Sequence, residues 1–246
     1  MYIGQTNSTN DWLKLHPDVD AVWTTWQTAG RGQAGNSWES EQGKNMLMSI
    51  RLKQPQVPVA FQFRLTMAVS LAVRDVVAKY LPENVVTIKW PNDIYVCDKK
   101  ICGILIETTI VKDQIAEAVV GIGLNVNQTV WLSDAPNPVS IQLLSGTACD
   151  LASIYEELLE AIGKQIAFLH QPEVLKNSYL AHLYRYKTKA LYAEREVNIL
   201  PSKILQSVPK EAFEAVIIDV SEQGELILQT NDEIRTYHFK QVQFVI

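Results

Sequence analysis

The residues of this chain best suited to chemistry are a few cations set among glycines, amides and a carboxylate. Residues 30–35 read GRGQAG, three glycines in six positions with Arg31 between the first two. Such a loop presents bare backbone N–H groups and one fixed positive charge, a combination that holds phosphate or carboxylate. By composition alone, the plainer reading of a flexible surface turn stands beside it. A second cluster, Lys89-Trp90-Pro91-Asn92-Asp93, puts a cation, an aromatic ring, an amide and a carboxylate where one strand ends. Lys100 follows on a hairpin, just before Cys102-Gly103. Near the N-terminus, Ser8-Thr9-Asn10-Asp11 either caps a helix or hydrogen-bonds the polar head of a ligand, and the two roles are compatible. Gly121-Ile122-Gly123-Leu124-Asn125 is a strand carrying two glycines, which weaken it unless another backbone or a ligand must come close. Trp38 reads either as core or as a roof over an apolar ligand.

Composition narrows the chemistry. The chain has 246 residues, 47% apolar and 20% charged, enough for a substantial core and a ligand pocket. A formal net charge of −5 lacks the basic footprint of tight nucleic-acid binding, so no nucleic-acid partner is expected. No run approaches the ~18 consecutive apolar residues of a membrane span, and the start, MYIGQTNSTND, has no basic-then-apolar leader, so a cytoplasmic protein without a membrane partner is expected. Cys97, Cys102 and Cys149 lack CxxC spacing and are expected to be reduced and buried. The four histidines are scattered without metal-ligand spacing, which implies no transition metal. The absence of GxxxxGK[ST] speaks against a Walker-type ATPase.

The elements that must position these residues follow from periodicity and turn chemistry. A helix is expected from Ser8 onward, and Ala21 to Gln27 reads as a strand running directly into the glycine loop. Met46 to Leu52 reads as a second strand, and Val59 to Tyr80 as an amphipathic helix with Leu65, Val69, Val73 and Val76 on one face. From Val85 to Asn127, short apolar runs between turns describe an antiparallel meander. A loop from Ser133 to Pro138 is followed by helices from Asp150 to about His170 and from Val174 to Tyr186. Beyond Lys187-Thr188-Lys189 the pattern turns to short strands, ALYAERE, EVNIL, AFEAVIIDV, GELILQ and EIRTYHF, which read as a small β-barrel.

Taken together and in order, STN at 8–10, Gln27 with GRGQAG, Trp38, KWPND at 89–93, Lys100 with CGILIE at 102–107, and GIGLNVN at 121–127 resemble the biotin protein ligases. These enzymes attach biotin to a lysine of carboxylase carrier domains. The resemblance is strong over residues 7–128, while the C-terminal strands resemble the family's SH3-like domain by pattern and position only. With no room for a winged helix-turn-helix before Ser8, the chain resembles the ligase-only class.

The resemblance implies an α+β fold related to class II aminoacyl-tRNA synthetases: a mixed, largely antiparallel sheet covered by helices, plus a small C-terminal SH3-like β-barrel. It implies a catalytic domain over 1–187 and an SH3-like domain over 188–246. It also implies two reactions. Biotin's carboxylate attacks the α-phosphorus of Mg-ATP, giving biotinyl-5'-AMP and pyrophosphate. A carrier lysine then attacks the acyl carbon and AMP leaves. Arg31, Lys100, Lys89 and Asp93 would carry the chemistry. Ser8, Thr9, Asn10, Gln27, Gly30, Arg31, Gly32, Lys100 and Gly103 would bind biotin. Gly30, Arg31, Gly32, Gln33, Ala34, Gly35, Trp38, Asn92 and Asn125 would hold ATP and the adenylate. Mg²⁺ would arrive on ATP without dedicated protein ligands. The protein partner would be the biotin carboxyl carrier domain of a carboxylase or decarboxylase, and an exposed sheet edge would allow a homodimer.

One departure from the family is visible. Many relatives have basic residues where this chain has Gln33 and Ala34, so its loop carries one fixed cation, Arg31. Weaker retention of the adenylate, or compensation by a lysine such as Lys44, would follow. Two alternatives stand beside the main reading: a lipoate or octanoate ligase of the same fold, whose paired-arginine loop this chain lacks, and a non-catalytic biotin-binding sensor.

Overall fold

The computed structural model describes residues 1–133, 137–195, 199–200, 203–204 and 209–246. Its centre is a six-stranded sheet built from β1 (Ala21–Thr24), β2 (Met46–Lys53), β3 (Val86–Lys89), β4 (Asp93–Val96), β5 (Lys99–Val111) and β6 (Gln114–Leu124). The spatial order is β1-β2-β6-β5-β4-β3, so β3 to β6 form the expected meander. Every ladder in it is antiparallel. The expected mixed character is confined to single parallel bridges at its margins, such as Tyr2 with Trp23 and Ile88 with Leu183.

Because side chains alternate across a strand, the register sorts the sheet into two chemically different faces. Lys89 pairs with Asp93, Asp93 with Gly103, Gly103 with Gly123, and Gly121 with Ser49, and all of these share one face with Leu105 and Glu107. Their neighbours Ile88, Ile94, Cys102, Ile104, Ile122, Met46 and Met48 point the other way and are buried in the main core. One face holds polar groups and glycines; the other is apolar.

Three helices cover the apolar face: α2 (Phe63–Tyr80), α4 (Leu151–Ile166) and α5 (Pro172–Ala181), where α2 packs on both of the others. The helix expected from Val59 opens as a 3-10 turn, Val59–Phe61, before α2 begins. Asp150 caps α4, as its position suggests, and Ser140 caps the short α3 (Ile141–Ser145). The helix expected to reach Tyr186 stops at Ala181, because the chain beyond it is used as a strand partner: Ile88 N–H donates to His182 O and Tyr184 N–H to Ile88 O, both at 2.8 Å. At the opposite edge, Trp23 N–H donates to Met1 O and Ile3 N–H to Trp23 O. Both outer strands of the sheet are thus covered. Among the described residues a stretch of β5 past Ile104 has no strand partner on the side away from β6, and Ile110 and Val111 there are exposed.

The polar face carries α1 (Thr9–Leu15), with Leu13 packed on Val22 and Val119 as a small separate core. Arg51, almost fully buried on β2, fixes the end of this helix by donating to the carbonyls of Leu13, His16 and Val19 while pairing with Glu117 at 2.6 Å. The start of α1 is therefore held at a set height above the sheet.

From Lys189 the chain forms a second, five-stranded antiparallel sheet in the order β12-β11-β10-β7-β13, from β7 (Lys189–Arg195), β10 (Pro209–Val220), β11 (Leu226–Gln229), β12 (Ile234–Tyr237) and β13 (Val242–Phe244). The two-residue strands β8 (Ile199–Leu200) and β9 (Lys203–Ile204) pair with each other. Among the described residues β12 and β13 do not meet, so the expected barrel is an open sheet. Parts of the expected EVNIL strand, residues 196–198, and of the Ser133–Pro138 loop, residues 134–136, lie outside the described residues. The thiol expectation needs one correction: Cys102 is buried and Cys149 partly so, but Cys97 is exposed on the tight turn between β4 and β5.

Candidate active site

The glycine loop folds back on itself above the polar face. Arg31 bridges Ser37, Trp38 N–H donates to Gly30 O at 2.9 Å, and Gln33–Gly35 form a 3-10 turn closed by Gly35 at a φ of +86°. The fold-back delivers Trp38 onto the sheet. A Cβ on Gly123 would stand 2.5 Å from Trp38 Cε2, and one on Gly103 2.9 Å from Cζ3. The two glycines, paired across β5 and β6, are therefore the floor on which the indole lies. Their absence of side chains has a steric cause, as the glycine-bearing strand pattern suggested. Trp38 Nε1 is buried without a partner among the described residues, an unused donor at the centre of the site.

At one end of this floor Lys100 Nζ lies 2.7 Å from Asp93 Oδ1 and 5.6 Å from the centroid of the Trp38 ring. Its backbone is fixed on both sides, by Lys100 N–H to Asn137 O and Val139 N–H to Lys100 O. Asn125, at the end of β6, donates through Nδ2 to Val139 O, while its Oδ1 is buried and unpartnered among the described residues. Lys89 shares the face with Asp93, but its ammonium lies 5.1 Å from the ring of Tyr95 and 4.8 Å from that of Phe244 in β13, and burial pushes its pKa down. Lys89 thus joins the motif to the C-terminal sheet. The Trp90-Pro91 bond is cis, and Trp90 Nε1 donates to Gly224 O at 2.9 Å, so the C-terminal sheet buttresses this turn. Asn92 spends its amide on Ile104 O, and it also lines a cleft of about 380 Å³ with Gln33, α2's first turn and His238-Phe239. Trp38 and Lys100 do not line that cleft, because the indole fills the space above the glycine floor.

At the other end, Ser8 caps α1, and Thr9 donates through both its N–H and Oγ1 to Gln27 Oε1, at 2.7 and 3.0 Å. The buried Ser49 Oγ lies 2.7 Å from Thr9 Oγ1 and 2.6 Å from Asn10 Oδ1. Asn10 Nδ2 donates to Glu107 Oε2 at 2.8 Å. Arg31 meets Glu107 with a two-pronged contact, Nη1 to Oε1 at 3.2 Å and Nη2 to Oε2 at 2.9 Å, and Asp11 accepts from Nη2 at 2.6 Å. Lys14 completes the group at 2.7 Å from Glu107 Oε1. Burial opposes the charge of Glu107, yet the bonds from Lys14, Asn10 and Arg31 hold its carboxyl below the usual range.

The structure therefore gathers Ser8, Thr9, Asn10, Gln27, Gly30, Arg31, Gly103, Trp38, Lys100, Asp93 and Asn125 on one face, with Gln33 and Asn92 at the adjoining cleft. Sequence reasoning missed Lys14, Ser49 and Glu107, and took Asp11 as part of the cap cluster without its bond to Arg31. Glu107 closes the CGILIE motif and was legible as a charge on the polar face of an otherwise apolar strand. Ser49 carries no signal beyond being polar within MLMSIRL.

The model of the biotin/lipoate A/B protein ligase family matches residues 3–125. The bifunctional ligase/repressor BirA of Bacillus subtilis is 27% identical over 232 residues, covering 92% of this chain and 66% of that protein, so the chain spans just under two thirds of its length. A biotin–[acetyl-CoA-carboxylase] ligase of Paracoccus denitrificans is 30% identical over 200 residues, covering 74% of this chain and 80% of that one. Among solved structures, a biotin protein ligase from Aquifex aeolicus in complex with biotin and ATP has a TM-score of 0.76 at 21% identity, covering all of this chain and 98% of its own, a likeness of fold.

Proposed function

We propose, since the chain belongs to the biotin/lipoate A/B protein ligase family, that it uses ATP to attach biotin to a lysine of a biotin carboxyl carrier domain through biotinyl-5'-AMP. The observation that carries this reading is the placing of Lys100 and Asp93 beside an indole seated on the bare Gly103–Gly123 floor. The Paracoccus denitrificans relative, a biotin–[acetyl-CoA-carboxylase] ligase, and the Aquifex aeolicus complex favour biotin over the lipoate alternative.

In the first step an oxygen of biotin's carboxylate bonds to the α-phosphorus and pyrophosphate leaves. Two anions must meet, and cations fixed beforehand lower that barrier at no cost in reorganisation. We assign this work to Lys100 and Arg31, with Mg²⁺ entering on the phosphates of ATP. Arg31 must exchange one of its carboxylates for the incoming anion. Gln27, whose Oε1 is held by Thr9, is left with Nε2 as a donor for biotin's ureido head, near Ser8 and Asn10. Trp38 and Asn125 are assigned to the adenylate, with the free Oδ1 of Asn125 as an acceptor for an amino group. Gln33 in place of a cation lowers the charge available to retain it.

In the second step the carrier amine bonds to the acyl carbon, the carbon–oxygen bond to AMP breaks, and the amine loses a proton. Its pKa in water is about 10.4, so a nearby oxyanion assists. Asp93 is the candidate. Asp93→Asn is expected to slow acyl transfer more than adenylate formation, and single-turnover rates falling equally in both steps would remove it from that role.

Residues 1–187 would form the catalytic domain and 188–246 an SH3-like domain that braces it through Trp90 and Lys89. The unpaired stretch of β5 past Ile104 is where a second copy would add its own strand in a homodimer. The deciding experiment mixes the protein with biotin, Mg-ATP and a carrier domain and looks by mass for biotinylated lysine. Biotin binding without AMP release would support the sensor reading, and activity with lipoate but not biotin would support the other ligase.

A further inference from the structure

We infer that Glu39 is a positioning residue for Trp38, acting by clasping the backbone of the segment that leaves β6. The inference rests on the ligase reading for its functional consequence, but the clasp itself is read from geometry. Glu39 Oε1 accepts from Leu132 N–H at 2.8 Å and Oε2 from Ser133 N–H at 2.9 Å, so each carboxylate oxygen serves one of two successive amides. Burial works against the charge, yet these bonds keep the carboxyl below its ordinary range, the direction expected of a carboxylate held by backbone donors.

The clasp is the last rung of a longer ladder between the same two stretches of chain. Val126 N–H donates to Asn45 Oδ1 at 3.0 Å, Asn127 N–H to Lys44 O at 2.8 Å, and Glu41 N–H to Gln128 Oε1 at 3.0 Å. Asn45 and Gln128 are buried and hydrogen-bonded to each other, whereas beyond them Val130 and Leu132 are 63% and 93% exposed. Apolar burial does not anchor Leu132; the bonds to Glu39 do. The same bonds fix Glu39, and with it the direction in which the preceding residue, Trp38, projects onto Gly103 and Gly123. Trp38 is thus held from two sides, by its own N–H to Gly30 O and by the clasp that follows it.

A carboxylate offers two acceptors for two amides, an amide side chain one, and alanine none. Amide hydrogen exchange at Leu132 and Ser133 of the full chain, without substrates, is expected to speed up in Glu39→Ala and to lie between that variant and the natural protein in Glu39→Gln. Steady-state assays with biotin and Mg-ATP are expected to show the KM for ATP raised about fivefold in Glu39→Ala and less in Glu39→Gln, with kcat and the KM for biotin within about twofold of normal. Unchanged exchange in Glu39→Ala overturns the clasp. Faster exchange with an unaltered ATP KM, or with both KM values raised equally, overturns the role in positioning Trp38. A natural protein that forms no adenylate at all overturns the ligase reading instead, and the exchange measurement does not depend on it.

Discussion

Replacing Lys100 with alanine is expected to slow adenylate formation by about 10²–10³-fold, equivalent to roughly 2.7–4 kcal/mol of transition-state stabilisation. The side chain is partly exposed and its Nζ is engaged by Asp93 at 2.7 Å, so its removal should leave the fold standing. The backbone bonds of Lys100 to Asn137 and Val139 do not need the side chain and persist. What is lost is the cation beside the Trp38 seat, at the point where a carboxylate and a phosphate must approach each other. A second effect adds to the first. Asp93, freed of its ion-pair partner, is left with only the more distant charge of Lys89 to offset it and repels both substrates. Removing both residues should therefore cost less than the sum of the two single losses, a sign of direct coupling. Pyrophosphate exchange measures the first step alone. A near-normal rate in Lys100→Ala would count against the assignment of the whole face, because among the described residues Lys100 is the cation found over the indole.

Much of this arrangement was legible in the sequence for local reasons. Short apolar runs between turns from Val85 to Asn127 announced four antiparallel strands, and strand alternation then dictated that Gly121, Gly123 and Gly103 look the same way. Two glycines in one strand signalled close approaches, which Trp38 makes to Gly123 and Asn10 to Gly121. The illegible parts depend on partners distant along the chain. Nothing near Arg31 announces Glu107, 76 positions later, as its fork-shaped partner. Lys89 reads as one more cation for phosphate, yet Phe244, at the far end of the chain, supplies the ring that claims it. Helix propensity continues past Ala181, but the exposed edge of β3 competes for the same backbone groups and wins. The barrel expected from strand spacing depends on whether the two edge strands, β12 and β13, meet, which spacing does not encode.

The second large effect is predicted for Gly123→Val. A Cβ there would stand 2.5 Å from Trp38 Cε2 and 2.6 Å from Nε1, closer than side-chain carbons approach, and valine adds two methyl groups beyond it. The facing surface is the strand itself, paired on both sides with Leu47 and Gly103, so the sheet has no freedom to retreat. The indole must leave its floor. Overpacking of this kind costs about 1–3 kcal/mol of stability, and the displaced ring should lower kcat/KM for ATP by about 100-fold, comparable to losing a preorganised contact at the reacting centre. Trp38→Ala supplies the control, because it removes the obstacle. In that background valine at 123 should cost less than about 0.5 kcal/mol in denaturant unfolding, giving a coupling energy of at least about 0.5 kcal/mol between the two positions. Activity should not recover in the double variant, since the stacking ring is gone from both. If Gly123→Val destabilised the Trp38→Ala protein as much as the natural one, the glycine would be serving the strand and not the indole. The contact between them would then have no part in shaping the site.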